Sequence, residues 1–327
     1  MLIANIEADE LLMQVITSIR KQDYLIKYKS GAVIKNNRRH DKRGLIKQLN
    51  RVGKTNEEDY ILELDYKYGT LDTAIFLLER KLKKIQYLTK YDVMNLWLGP
   101  DDGSNFRYKS AKTQAYKNNR GPKPEILIQL RQYLINIKGA QVIYGYEADD
   151  ALGIYQKDYI CREEGGYFKA VADINQIGVS RSKEYSGTVA VHCDKDIFMI
   201  PGLHFNTMND QFVEVDNIGN IYMVKGKVKG IGLAFFYFQM LYGDRTDTIP
   251  NVKAGWGETK CYKALEQCVT EEDYLTRVYE VYGSLIDEDF IGRMLEQADL
   301  VWICRNKEEK GSDYIKRRYK EIIGYSL

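Results

Sequence analysis

The chain has 327 residues, with 48 lysines and arginines against 46 aspartates and glutamates, so its formal net charge is +2. This length predicts about two domains, and a hydrophobic content of 44% excludes a disordered chain. No apolar run reaches the roughly 20 residues of a membrane helix, and the acidic N-terminus is unlike a signal peptide, so we expect a cytoplasmic protein without a membrane partner. The five cysteines form no CxxC pair and the three histidines are scattered, which argues against a thiolate zinc site or a histidine-based triad.

The positive charge is concentrated in one segment. Residues 20–54 contain 12 lysines and arginines but only two aspartates, so the segment carries +10 and the rest of the chain carries −8. Such a block is either a solvated face or a surface for nucleic-acid phosphates, and the sequence leaves both interpretations open.

Strands and helices are predicted to alternate through the first two thirds of the chain. Short apolar runs predict buried strands at 2–6, 93–98, 140–144 and 188–191. Apolar residues at helical spacing predict helices at 71–88 and 125–138, the second one starting after Pro124. Beyond about Lys225 the pattern is mostly helical. We therefore expect an α/β fold with a mainly parallel central sheet flanked by helices, followed by a helical C-terminal region.

Acidic residues follow the end of each predicted strand. They are Glu7 and Asp9, then Asp101 and Asp102, then Glu147, Asp149 and Asp150, then Asp194 and Asp196, with a further pair, Asp244 and Asp247, on one helical turn. Ligands of open parallel sheets bind beyond the carboxyl ends of the strands, so these acids are expected to converge on one crevice. Any single pair could be solvated loop acids or helix N-caps. All of them together favour a site for Mg²⁺ or Mn²⁺ and phosphate-ester chemistry.

Two further segments combine basic residues with aromatic residues or with glycines. Residues 106–120 interleave aromatic and basic side chains, which suits unpaired bases and phosphates but also suits an exposed connection. Residues 249–260 contain Gly255 and Gly257, which permit a tight turn whose amides could bind a DNA phosphate. The alternative for the second segment is a plain connection between two helices.

Four blocks of the sequence resemble the 5′ nuclease family, which includes flap endonucleases, the 5′ nuclease domain of bacterial DNA polymerase I, and phage 5′–3′ exonucleases. Residues 144–151 are similar to its G-x-E-A-D-D motif and 192–197 to its D-x-D motif. Residues 243–252, with the Ala-Gly-Trp-Gly that follows Lys253, resemble G-D-x-x-D-N-I-P-G-V and its glycine turn. Phe106-Arg107 and residues 116–120 resemble F-R followed by Y-K-x-x-R. The likeness covers about residues 92–265 and is greatest to exonucleases of T-odd phages.

The resemblance implies a PIN-like nuclease core over 1–215, with 20–65 as an unassigned basic segment, and a helical DNA-binding region over 216–327 with a helix–three-turn–helix. It also implies two metal ions. Residues that match the first metal cluster are Glu147, Asp149, Asp150 and Asp194, with Asp102 after the preceding strand. Glu7 fills the first-strand position by register, where the family has the Asp of a D-G motif. Residues that match the second cluster are Asp196, Asp244 and Asp247.

The resemblance also implies a set of DNA contacts. Lys117 and Arg120 match a basic pair that contacts the scissile phosphate, Tyr116 matches a base-stacking position, and Arg107 belongs to the same motif. The residues expected to hold duplex DNA at the glycine turn are Lys253, Gly255, Gly257 and Lys260. In many members this turn, here at 252–257, binds K⁺ through backbone carbonyls.

The sequence therefore predicts a monomeric, metal-dependent 5′–3′ exonuclease and flap endonuclease. Its partners would be DNA with 5′ ends, flaps or RNA primers, in the host cytoplasm if a phage encodes it. Asp101 competes with Asp102 for one metal position, and the role of Glu7 as a direct ligand is open. Two alternatives remain: a PIN-type ribonuclease, and a catalytically inactive protein that binds flap DNA.

Overall fold

The structure is a computed structural model that describes residues 1–28, 33–36, 60–162 and 184–327. Most of the basic segment 20–54, for which a solvated face or a nucleic-acid surface was predicted, lies outside these residues. Contacts between Cα atoms divide the chain into two compact units. The first unit contains Met1–Leu11, Leu82–Pro122 and Leu134–Leu327, and the second contains Leu12–Lys81 and Lys123–Tyr133.

The described elements are named here in chain order. The strands are β1 Leu2–Glu7, β2 Arg20–Tyr28, β3 Val33–Asn36, β4 Tyr60–Tyr68, β5 Val93–Leu98, β6 Gln141–Val142, β7 Tyr159–Arg162, β8 Glu184–His192, β9 Gly202–Asn206, β10 Gln211–Val215, β11 Asn220–Val224 and β12 Lys227–Ile231. The helices are α1 Ala8–Ile19, α2 Leu71–Thr89, α3 Arg107–Ser110, α4 Glu125–Lys138, α5 Ala148–Tyr155, α6 Gly232–Tyr242, α7 Glu258–Leu265, α8 Glu271–Leu285, α9 Phe290–Val301 and α10 Gly311–Ile323. A 3₁₀ helix spans Asp196–Met199.

The first unit is built on a mixed, mostly parallel sheet. Strand β1 lies in its interior between β5 and β8, and β6 and β9 continue the sheet on either side in the same direction. Strands β10 and β7 add antiparallel pairs at β9 and β8. Strand β1 is almost entirely buried, as its nearly continuous apolar sequence requires for a strand covered on both faces. The predicted parallel α/β fold is confirmed.

All four predicted strands are present in the sheet, one of them shortened, whereas β7, β9 and β10 were not predicted. Strand β5 has the predicted bounds 93–98, whereas the run at 140–144 forms only the two-residue β6. Ile143 still donates its backbone N–H to the carbonyl of Leu98, 2.9 Å away. Gly145 then takes a positive φ of 83°, which turns the chain out of the sheet and toward helix α5.

The helical C-terminal region is also confirmed, but a hairpin precedes it. Strands β11 and β12 are joined by Lys225 and Gly226, which both have positive φ, as a two-residue hairpin turn requires. Helix α6 follows and is buried from Gly232 to Leu241. A helix that is apolar all round must lie inside a core. Helices α7, α8 and α9 pack against it.

The second unit contains a separate antiparallel sheet, in which β2 pairs with β3 on one side and β4 on the other. Across the four described ranges of the chain, no helix combines the length and apolarity that a bilayer crossing would need.

Candidate functional site

The carboxyl ends of the parallel strands carry the predicted acids. Glu7 is the last residue of β1, and Asp194 and Asp196 follow β8. Glu147 and Asp149 follow β6 at the start of α5. A small cleft brings several of these side chains together with the pair from the loop after α6. Its lining includes Glu147, Asp149, Asp196, Asp244 and Asp247, together with Arg107, Tyr116 and Gln239.

Glu147 is held in place by the N-terminus of α5. It is the N-cap residue of that helix, and its backbone N–H donates to Asp150 Oδ2 at 2.9 Å, in a capping-box arrangement. Its carboxylate accepts a hydrogen bond from the Tyr116 hydroxyl at 3.0 Å and forms an ion pair with Lys117. Burial would raise the pKa of Glu147, but the charges of Lys117 and Arg107 outweigh it and lower the pKa to about 2.

Lys117 is fixed as a cation between two carboxylates. Besides its ion pair with Glu147, its Nζ lies 3.4 Å from Asp247 Oδ2. Its backbone N–H donates to the carbonyl of Asp247 at 2.9 Å, and its φ is +52°, a strained value for a residue with a side chain. Burial would lower the pKa of Lys117, yet Glu147 and Asp247 outweigh it and raise the pKa. Arg120 Nη2 binds the other oxygen of Asp247 at 2.8 Å.

Glu7 and Asp149 form a second group, whose carboxyls have fewer positive partners than Glu147 and Asp247. Burial, together with the charges of Asp9, Glu10 and Asp149, raises the pKa of Glu7 well above its usual range. Burial and the neighbouring Asp150 and Glu147 do the same to the pKa of Asp149. Among the described residues, no lysine or arginine is within ion-pair distance of either carboxyl. Such a pair favours a proton or a bound cation.

The third group surrounds Lys195, which the sequence reading did not select. Lys195 Nζ lies 3.3 Å from both Asp196 Oδ1 and Asp244 Oδ2. Gln239 of the apolar helix α6 donates to Asp196 Oδ1 at 2.6 Å, and the Asp196 N–H donates to Asp194 Oδ1 at 2.9 Å. The sequence signal for Lys195 is its position between two acids in D-K-D. The signal for Gln239 is that it is the lone amide in an apolar helix.

Arg107 and Asp150, predicted to contact DNA and metal, are instead buried against each other. Their exposed fractions are 2% and 0%, and two hydrogen bonds of 2.6 and 2.8 Å join the guanidinium to both carboxylate oxygens. Arg107 Nε also donates to the Leu300 carbonyl, and the Cys304 N–H donates to Asp150 Oδ1. In this arrangement Arg107 is not exposed to DNA, and the pair connects the site to the chain after α9.

The acids after β5 do not line the cleft. Asp101 and Asp102 are both exposed, and Asp102 Oδ1 accepts a hydrogen bond from the Ser104 N–H at 2.9 Å. The hydrogen bonds from Ser104 lower the pKa of Asp102. Asp9 lies closer to the strand end, because its Oδ2 accepts the Gly99 N–H at 2.7 Å.

The predicted glycine turn is an exposed loop before α7. Gly255 has a φ of +81°, which favours glycine, and Gly257 is the N-cap of α7. Lys253 and Lys260 are exposed on either side, with Lys253 Nζ donating to the Leu285 carbonyl at 2.9 Å. The Val252 N–H donates to the Leu241 carbonyl and anchors the turn to the end of α6. Its two lysines are accessible to a phosphate.

The metal prediction can be compared with the donor set. Within the ranges that the structure describes, no three acidic, histidine or cysteine side chains stand close enough to hold an ion in their present positions. Lys117 and Lys195 instead neutralise parts of the cleft. The donors themselves are carboxylate oxygens, several with raised pKa, and this chemistry fits a hard divalent cation.

The metal-free protein is expected to unfold at a lower temperature at pH 8 than at pH 6. Burial and the neighbouring Asp194 raise the pKa of Asp196 to about 8, from an ordinary value of 3.8. Between these values the folded state binds the proton more tightly, so its stabilisation is complete below about pH 4 and is lost as the pH rises through about 8. The lowered pKa of Glu147 has the opposite effect, because its stabilisation is complete above about pH 4.5 and is lost as the pH falls toward about 2.

Thermal unfolding in EDTA across pH 5–9 checks this expectation. The variant Asp196→Asn removes the titrating carboxyl and should reduce the difference between pH 6 and pH 8. A difference of the same size in the variant would show that Asp196 is not responsible.

No protein-family model matches the sequence, and no curated protein matches it either. Among solved structures, the chain is similar to that described as the crystal structure of T5 D15 protein co-crystallized with metal ions. The two chains are 12% identical, the alignment covers 99% of each, and the TM-score is 0.44. A likeness this distant carries no argument about what the present chain does.

Proposed function

We propose that this protein is a divalent-metal-dependent nuclease that cleaves DNA phosphodiester bonds as a 5′–3′ exonuclease and flap endonuclease. The observation that carries the proposal is the cleft at the carboxyl edge of the sheet. Five acids from three parts of the chain line it, and Lys117 lies in contact with two of them, Glu147 and Asp247. The ordered motifs in the sequence are the reason for choosing 5′ nuclease chemistry rather than another phosphate-ester reaction.

Two groups of carboxylates would hold the ions. The first comprises Glu7, Glu147 and Asp149, and the second comprises Asp196, Asp244 and Asp247. Asp194, which the resemblance assigns to the first cluster, is placed with the second because its Oδ1 accepts the Asp196 N–H at 2.9 Å. Bound Mg²⁺ or Mn²⁺ would supply an activated water and stabilise charge on the leaving oxygen. Asp150 is left out of both groups, because Arg107 and the Cys304 N–H occupy its oxygens. Asp102 is left out because it is exposed and outside the cleft.

The chain's own cations would act on the phosphate. Lys117 and Arg120 are held at the cleft by Asp247, and their positive charge would offset the negative charge that develops on the phosphoryl oxygens during cleavage. On the helical side, Lys253, Lys260 and the amides around Gly255 and Gly257 would bind the duplex backbone. We retain K⁺ at 252–257, and the division into a core at 1–215 and a DNA-binding region at 216–327, as parts of this proposal.

The deciding experiment is a digestion of end-labelled substrates with and without Mg²⁺. We expect Mg²⁺-dependent cleavage of flapped and nicked DNA from the 5′ side, with no products in EDTA. Cleavage confined to single-stranded RNA would instead support the PIN-type ribonuclease. Tight binding of flap DNA without any metal-dependent cleavage would contradict the proposal and support an inactive DNA-binding protein.

The variant Asp194→Asn is expected to lose cleavage by about 100-fold or more while retaining DNA binding. Asparagine keeps an oxygen for the Asp196 N–H, so the loop after β8 should keep its conformation. It removes the charge that a divalent cation would need. Single-turnover cleavage and a binding titration in EDTA measure the two effects separately, and full activity in the variant would remove Asp194 from the site.

A further inference from the structure

The aromatic residue predicted to stack on a base is not accessible in the structure. Tyr116 has an exposed fraction of 5%, and its hydroxyl lies 3.0 Å from Glu147 Oε2 and 3.2 Å from Asp247 Oδ2. Lys117 Nζ lies 4.9 Å from the centre of its ring. Tyr116 therefore forms part of the cleft wall, and its ring is not free to receive a nucleobase.

A second tyrosine rests on Tyr116 and is open to solvent. Tyr108 is 47% exposed, and its ring centre lies 5.4 Å from that of Tyr116 with an angle of 75° between the planes. This edge-to-face geometry is a favourable one for two aromatic rings. Tyr108 thus has one side supported by a buried ring and another side available to a ligand.

The backbone under Tyr108 is firmly held. It belongs to the short helix α3, where its own N–H donates to the Asn105 carbonyl and the Lys109 N–H donates to the Phe106 carbonyl. The preceding residue is Arg107, which the buried pair with Asp150 fixes in place. An aromatic ring on such a backbone loses little conformational freedom when a base stacks on it.

The surroundings of Tyr108 favour a nucleotide over an apolar partner. Lys109 of α3 is exposed, as are Lys112 and Arg120 in the segment that follows, where Arg120 also pairs with Asp247. Cations beside an exposed aromatic ring form the combination that binds unpaired nucleic acid, with phosphates on the charges and a base on the ring. The supporting ring of Tyr116 reaches the cleft acids with its hydroxyl, so a base on Tyr108 would lie beside a phosphate in the cleft.

We propose that Tyr108, rather than Tyr116, stacks on an unpaired nucleobase next to the cleft and so selects substrates with an unpaired nucleotide there. This inference rests on the proposed function for the identity of the ligand. Tyr108 would act by positioning the nucleotide, whereas Tyr116 would position Glu147 and Asp247.

The test compares Tyr108→Leu and Tyr108→Phe on flap DNA, with Tyr87→Leu as the control. Tyr87 is 80% exposed on α2 and is not among the residues that line the cleft. Affinity is measured in EDTA with a set of flaps, each carrying one abasic nucleotide at a successive position around the junction. We expect Tyr108→Leu to weaken binding of the normal flap by about 5- to 100-fold, and Tyr108→Phe and Tyr87→Leu to have little effect.

The abasic set separates stacking from a general loss of structure. If Tyr108 stacks on a base, one abasic position should weaken wild-type binding, and Tyr108→Leu should add no further loss on that substrate. An equal loss from Tyr108→Leu on every substrate, or no loss at all, would overturn the inference. A base-dependent loss in Tyr116→Phe but not in Tyr108→Leu would overturn it too.

The outcomes also distinguish this inference from the proposed function. Suppose that Tyr108→Leu causes no further loss of binding at one abasic position, but the protein never cleaves DNA. This result would support stacking by Tyr108 and refute the nuclease. Metal-dependent cleavage, with an equal loss of binding from Tyr108→Leu on every abasic substrate, would support the nuclease and refute stacking.

Discussion

Replacing Lys117 by alanine is expected to slow single-turnover cleavage by about 100-fold or more and to change DNA affinity by less than about 10-fold. The side chain is 9% exposed and lies between Glu147 and Asp247, so it has little surface for general attraction of DNA. A cation fixed in this position acts on charge that develops during the reaction. Its loss should therefore appear in the rate rather than in binding.

Two matched variants define the effect of Lys117. Lys117→Arg keeps the charge and should recover part of the rate. Lys253→Ala removes an exposed lysine at the glycine turn and should show the reverse pattern, with weaker binding and an unchanged single-turnover rate. A Lys117→Ala protein that cleaves at the wild-type rate with saturating enzyme would exclude a role in the chemical step.

Removing Lys117 should also change the pKa of Glu147. The charges of Lys117 and Arg107 hold the pKa of Glu147 at about 2 against the effect of burial, so the pKa should rise when Lys117 is absent. In the metal-free protein, we therefore expect Glu147 to titrate at a higher pH in Lys117→Ala than in the wild type, which an NMR titration in EDTA measures.

The second large effect concerns stability. Arg107→Leu is expected to lower the free energy of unfolding by about 3–5 kcal/mol, because it leaves the Asp150 carboxylate buried without its partner. It also removes the hydrogen bond to the Leu300 carbonyl, and with it a connection between α3 and the end of α9. Urea denaturation measures the loss.

A double variant tests whether the stability loss comes from an unpaired charge. Arg107→Leu combined with Asp150→Leu removes both charges, and pairs replaced in this way often retain stability. We expect the double variant to be more stable than Arg107→Leu alone. If both proteins unfold at the same urea concentration as the wild type, the buried pair makes no contribution to the fold.

The elements that could be predicted are those with a strong local pattern. Strand β5 and helix α4 have their predicted bounds, since a six-residue apolar run and a 14-residue helical periodicity leave little ambiguity. The hairpin β11–β12 was missed. Its strands are only partly buried, so they lack a continuous apolar run, and Lys225 gives no sign of the positive φ that it adopts.

The acids of the cleft could be predicted as a group but not one by one. Their place after parallel strands followed from the topology of such sheets. Asp149 and Asp150 are neighbours in one motif, yet Asp149 lines the cleft while Asp150 is fully buried against Arg107. Successive residues of a helix point in different directions, and which direction meets the cleft depends on how α5 packs on β1 and β5.

For the aromatic and basic residues, too, the group could be predicted from the sequence but the position of each side chain could not. By itself the sequence determined that 106–120 would carry tyrosines among lysines and arginines, and that acids would gather at the carboxyl edge of a parallel sheet, because composition and strand polarity are properties of the chain. Only the tertiary structure decided that Arg107 and Tyr116 are buried while Tyr108 and Arg120 are exposed. Burial of a side chain depends on residues far away in sequence, here Asp150, Asp247 and the segment around Trp302, whose approach no local pattern encodes.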